Sequence, residues 1–159
     1  MVTGQPAALI QSIVVATDFS ERSEQAETYA LALAQKFGAT VVFVHAIEAI
    51  LGLQEDDGSE EFVEFYARLT SRARLDLQGR VVQATERGIS ARYHVEVGQR
   101  WQIVLERAEA EDADLVVIGR RSYREHESVP LGTTSQRVYF ASHRPVLIVP
   151  FDNGPNPTS

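Results

Sequence analysis

The chain has 159 residues, 44% of them hydrophobic, which is enough for one domain with a full core and too short for two of ordinary size. It has no cysteine, so disulfide frameworks, thiolate metal sites and cysteine nucleophiles are excluded. Twenty-two acidic against 15 basic side chains give a formal net charge of −7, which repels a nucleic acid backbone unless a local basic patch overrides it.

The N-terminal stretch "MVTGQPAALIQS" lacks the basic and apolar regions of a secretion signal, and residues 1–11 read as a loose arm. The run "SIVVATDFS" at 12–20 is short, apolar and β-branched, and it ends in a turn: a first strand. From Ser20, residues Ala26, Tyr29, Ala30, Leu33, Ala34 and Phe37 keep helical spacing, and Gly38 stands where a helix-ending glycine belongs. "ATVVFVHAI" is continuously apolar, as a strand buried on both faces should be. After the acidic loop "LGLQEDDGSE", a long helical pattern runs from about Glu60 to Arg87, with Gly79 a weak point inside it. "SARYHVEV", "GQRWQIVLERAEAED", "ADLVVIG", "TSQRVYFAS" and "RPVLIVP" then read as strand, helix, strand, helix and strand. "FDNGPNPTS", rich in Pro, Asn and Gly, reads as a mobile tail over 151–159. No stretch approaches the ~20 apolar residues of a membrane helix, so a cytoplasmic protein with no membrane or nucleic acid partner is expected.

Strict alternation of apolar strands with amphipathic helices predicts an α/β domain over 12–150, an open five-stranded parallel sheet with helices on both faces. Such sheets bind ligands outside the carboxyl ends of the strands, where strand order reverses. Two strands here end in polar signals. Thr17-Asp18-Phe19-Ser20 follows the first, and Gly119 opens a polar loop after the fourth that reaches Gly132-Thr133-Thr134 before the next helix. Backbone amides and hydroxyls at a helix start favour an anion, so this loop reads as a phosphate cradle; the plainer reading of Thr133 and Thr134 is a helix cap. Arg120 and Arg121 suit bidentate phosphate binding, with solvated pairing to Glu125 or Glu127 the plainer reading for at least one of them. Asp18 suits hydrogen bonds from a sugar hydroxyl or an amine, or a local cap on the first helix.

These residues carry a resemblance. "IVVATDFSERSEQA", "VVFVHAI", "ADLVVIG", "LGTTSQRV" and "RPVLIVP" make the chain similar, from Ile13 to Pro150, to the universal stress protein family of small adenine-nucleotide-binding proteins. The resemblance implies sheet order 3-2-1-4-5, a Rossmann-like fold of the adenine nucleotide alpha hydrolase-like kind, and a homodimer through the last strand, Val146 to Val149. For the ATP-binding branch it implies a G-x2-G-x9-G-[S/T] pattern after the fourth strand. Gly119 and Gly132-Thr133 match that pattern, and Ser122 stands where the middle glycine belongs. Residue by residue it places Asp18, with Thr17 beside it, at the nucleoside end, and the Ala46 backbone, just past the second strand, against adenine. A serine supplies the amide a glycine would, yet its Cβ resists positive φ.

The site expected from residues and resemblance together is Thr17, Asp18, Ala46, Gly119, Arg120, Ser122, Gly132, Thr133 and Thr134. Its ligand is an adenine nucleotide, ATP first, with Mg2+ as a possible companion and no structural metal. There is no G-x-x-x-x-G-K-[ST] loop, so little or no turnover is expected. Ser122, His126 and Asp18 supply the residue types of a nucleophilic triad, without the G-x-S-x-G elbow such chemistry uses. The four histidines, His45, His94, His126 and His143, contain no i, i+4 pair for a metal, and Trp101 reads as core. The alternative function is a stress-family dimer that binds no nucleotide and serves as a protein-interaction module.

Overall fold

The computed structural model describes residues 9–49, 59–120 and 134–151. Its elements run β1 (Ser12–Ala16), α1 (Glu21–Phe37), β2 (Thr40–Ile47), α2 (Glu60–Glu86), β3 (Ala91–Val97), α3 (Arg100–Ala110), β4 (Leu115–Arg120), α4 (Thr134–Ala141) and β5 (Val146–Pro150). All pairings are parallel, and the order is β3-β2-β1-β4-β5. The expected arm is tied down at its end, where Ile10 packs on the core and the Gln11 amide donates to Asp114 Oδ2 at 2.8 Å. The rest of the arm, 1–8, and the tail from 152 lie outside the described residues.

Local chemistry explains the boundaries. Ser20 has extended backbone (φ −80°, ψ 160°) and its side chain accepts from Ser23 N, so it caps α1. Gly38 closes that helix in the left-handed region, φ 70°, and donates to Ala34 O. Gly79 leaves α2 unbroken, because its cost of about 1 kcal/mol is small beside the packing of the helix.

The pleat sorts side chains onto two faces. Ile13, Val15, Val41, Phe43 and Val117 face α1 and α2, with Ala26, Ala30 and Leu77 packed on them. Val14, Val42, Val44, Val116 and Ile118 face α3 and α4, where they meet Val104, Ala108 and Val138. Fully burying side chains such as Phe43, Ile13 and Leu77 contributes about 1.5–3 kcal/mol each. Both faces being covered is why the strands read as unbroken apolar runs. The buried residues of α2 are Ala73, Leu77 and Ala84, and its N-terminal half exposes Val63, Phe65 and Leu69. No helix among the described residues is long and apolar enough to cross a membrane.

Candidate functional site: a charged crevice where strands one and four diverge

β1 lies between β2 and β4. The chain leaves β1 toward β2 through α1 on one face, whereas α3 and α4 cover the other face, so the carboxyl ends of β1 and β4 flank the point where strand order reverses. Thr17 is buried there. Its amide donates to Val44 O at 2.9 Å, its carbonyl lies 2.8 Å from His45 Nδ1, and its hydroxyl donates inward to Glu27 Oε1 while accepting the Phe19 amide at 3.2 Å. The hydroxyl of Thr17, expected beside Asp18 at the nucleoside end, is engaged by Glu27.

Phe19 takes a left-handed backbone, φ 63°, which is uncommon for a bulky residue and turns the chain sharply from β1 toward α1. Its ring rests 4.5 Å from that of His45, and the Arg80 guanidinium stands 5.0 Å above it. Arg80 also donates from Nε to Glu27 Oε2 at 2.7 Å, so buried Glu27 joins Thr17 to α2. Burial pushes the His45 pKa down, more than its hydrogen bond to Thr17 O raises it; the ring is neutral near pH 7 and donates from Nδ1.

Asp18 carries the charge of the crevice. Its Oδ1 accepts from both the amide of Ser20, at 3.0 Å, and the Ser20 hydroxyl, forming the local cap that its sequence position suggested. Partial burial raises its pKa, but the Ser20 bonds, Ser23 and the Arg100 charge outweigh that and hold the carboxyl below its usual range. Oδ2 makes no hydrogen bond among the described residues and faces two cations, Arg22 Nη2 at 3.8 Å and Arg100 Nη1 at 3.9 Å. Asp18 is thus an ionised acceptor with one oxygen bonded to Ser20 and the other facing Arg22 and Arg100.

Gly119 has a packing task beside the one its motif position suggests. A Cβ there would stand 2.5 Å from Arg22 O and 3.0 Å from Arg22 C, so the missing side chain lets the first turn of α1 sit directly on β4. Ala46 lies within β2, in register with Glu96 of β3, and not beyond the strand as expected. Arg120 ends β4 with its side chain exposed and its carbonyl accepting from Phe151 N at 2.9 Å. Thr134 is the first residue of α4. Ser122, Gly132 and Thr133, with the cradle they were expected to form, lie outside the described residues.

Glu27, Arg22 and Arg100 were missed. Arg100 had a usable signal, since it directly follows the third strand and therefore stands at the carboxyl end of the sheet. Glu27 had only its place beside Ala26 on a helix, and its partner Arg80 is 53 residues away. Trp101 is half-buried against the α3–α4 core and donates to Gln99 Oε1 at 3.0 Å. His94 pairs with Glu111 at 2.7 Å, far from any crevice function. No group of three or more metal-ligating side chains occurs among the described residues. A cavity of about 350 Å³ opens between α1 and α2, lined by Glu27, Phe43, Arg80 and Arg87 among others, on the far side of the Glu27 bridge.

A five-stranded parallel sheet of this order, helices on both faces, with polar groups gathered at the β1–β4 divergence, defines a Rossmann-like α/β domain. The chain belongs to the Universal stress protein family, whose profile matches residues 10–150. It is 31% identical over 152 residues to Universal stress protein Sll1388 of Synechocystis, covering 86% of this chain and 96% of that one. Among solved structures, MJ0577 of Methanocaldococcus jannaschii superposes with a TM-score of 0.70 at 25% identity, covering 92% and 99% of the two chains. A universal stress protein in complex with cAMP superposes at 0.66 with 23% identity, covering 89% of this chain and 97% of that one. The Archaeoglobus fulgidus protein in complex with dAMP does so at 0.59 with 23% identity, covering 89% and 98%.

Proposed function

We propose that the crevice at the ends of β1 and β4 binds an adenine nucleotide, ATP among the candidates, as a regulatory stress-response ligand that is held with little or no turnover. The observation that carries this reading is Asp18. It stays ionised, its Oδ1 is saturated by Ser20, and its Oδ2 accepts no hydrogen bond among the described residues at the switch point of a parallel sheet, where a sugar hydroxyl would donate to it. Ala46, Gly119, Arg120, Thr134 and, from the loop outside the described residues, Ser122, Gly132 and Thr133 complete the proposed pocket. Thr17 serves it as a positioning residue through Glu27. Two structural neighbours are described as complexes with cAMP and dAMP, which supports an adenine nucleotide as the ligand class.

The test is thermal unfolding of nucleotide-free protein with ATP, ADP, AMP and cAMP, with and without Mg2+. A ligand at 100 times its dissociation constant adds ~2.7 kcal/mol of stability, a clear rise in Tm. The rise should vanish in Gly132→Val, which fills the cradle. No rise with any nucleotide would overturn the reading and leave the interaction module in its place. We further propose that the chain assembles as a homodimer through β5.

A further inference from the structure

We infer that Arg22 and Arg100 form an anion subsite beside Asp18, so that the crevice selects adenine nucleotides carrying a phosphate ester on the ribose 2′ or 3′ oxygen; this rests on the nucleotide reading above. The two guanidinium groups reach the same carboxylate oxygen from different elements, Arg22 from the first turn of α1 and Arg100 from the first turn of α3. At 3.8 and 3.9 Å both are beyond hydrogen-bond distance from Asp18 Oδ2, and neither makes a hydrogen bond among the described residues. Arg100 Nε is buried with no hydrogen-bond partner among the described residues, where the carboxylate paired with it, Glu48, stands at 3.7 Å.

Guanidinium groups have five donors each and are normally satisfied by carboxylates, carbonyls or water. Arg144 donates to Glu109, Asp112 and Ala113 O, and Arg80 to Glu27. Asp18 and Glu48 balance the two arginines in charge but stand at 3.7–3.9 Å from them, so donors of both guanidinium groups stay unfilled among the described residues. Both are about one-third exposed, so a ligand can reach them from the open side. Glu48 opposes an anion here, but it is 60% exposed and can turn into water as a ligand enters.

Chemically, the triad offers one acceptor, Asp18 Oδ2, and planar cationic donors on either side of it. The complementary ligand group has a hydroxyl donor next to an anion. A ribose with one free hydroxyl and a phosphate on its neighbour supplies both, and the forked guanidinium matches phosphate oxygens two at a time. A ribose with two free hydroxyls satisfies Asp18 and leaves both arginines unfilled.

Adenosine 3′,5′-bisphosphate and 5′-AMP differ only in the 3′ phosphate, so the ratio of their affinities, measured by titration calorimetry at constant ionic strength, isolates the subsite. The wild-type protein should prefer the bisphosphate by about tenfold or more, the effect of a good charge-assisted contact. Arg100→Gln and Arg22→Gln should each pull that ratio toward one, and Arg100→Lys, which keeps the charge without the fork, should fall between. Far-UV circular dichroism checks that each variant is folded. A wild-type ratio near one, with 5′-AMP bound, overturns the subsite and leaves the nucleotide reading standing. A preference that survives both glutamine variants overturns the assignment to these residues. Binding of neither ligand overturns both readings.

Discussion

Gly119 shows how a residue singled out by its motif can carry a packing task that the motif does not announce. A glycine after a strand at a switch point suggests close approach of a ligand to the backbone, and the Arg22 carbonyl at the start of α1 also approaches it, 2.5 Å from where a Cβ would stand. The clash is with backbone, which cannot rotate away. Gly119→Ala should therefore cost about 1–3 kcal/mol through displacement of α1 from β4, seen as a lower Tm in the absence of any ligand. An unchanged Tm would show that α1 can lift freely, and the role drawn from the close contact would be wrong. Asp18 was legible because charge at the end of an apolar strand is costly and conspicuous. The inward turn of Thr17 was not legible, since it depends on Glu27, whose burial no local pattern announces.

At the level of elements, the order and nearly all boundaries were readable, because each rests on local causes: pleated apolar runs, the Ser20 cap, the Gly38 stop. Contacts between elements have no such local source. Glu27 on α1 and Arg80 on α2 are the clearest case, a nearly buried pair that also holds the Thr17 hydroxyl and places a cation above Phe19. Removing one member of such a pair strands the other without compensation. Arg80→Met should destabilise by about 3 kcal/mol, the lower end for a broken buried pair because Arg80 keeps one-fifth of its side chain in water. The double variant Glu27→Leu/Arg80→Met should recover part of that loss in urea unfolding, since neither charge is then left alone. Equal losses in the single and the double variant would mean that Thr17 and Phe19, rather than the charge pair, set the energetics of this joint.

For the whole molecule, the resemblance supplied what periodicity could not, the spatial order of the strands, and it thereby left β5 at an edge. β5 pairs with β4 alone among the described residues, and beside it α4 exposes Tyr139 and Phe140, the latter 82% exposed. An uncovered apolar edge invites pairing, and pairing with its own copy about a twofold axis is the solution that closes. The backbone direction of β5 follows from its bonds to β4: Pro145 O accepts from Val116 N, and Phe151 N donates to Arg120 O, both at 2.9 Å. Odd-numbered residues thus turn their amide groups toward β4, and by the period of two the amides of Val146 and Ile148 point outward, while Pro150 has no amide hydrogen to leave unpaired. Sedimentation equilibrium should give the wild-type chain twice its single-chain mass of 17.6 kDa. Val146→Pro removes one outward donor and no bond to β4, so it should shift the protein toward monomer with an unchanged far-UV spectrum. A wild-type monomer, or a proline variant that dimerises as well as its parent, would place any assembly surface elsewhere, with the exposed Val63, Phe65 and Leu69 of α2 next in line.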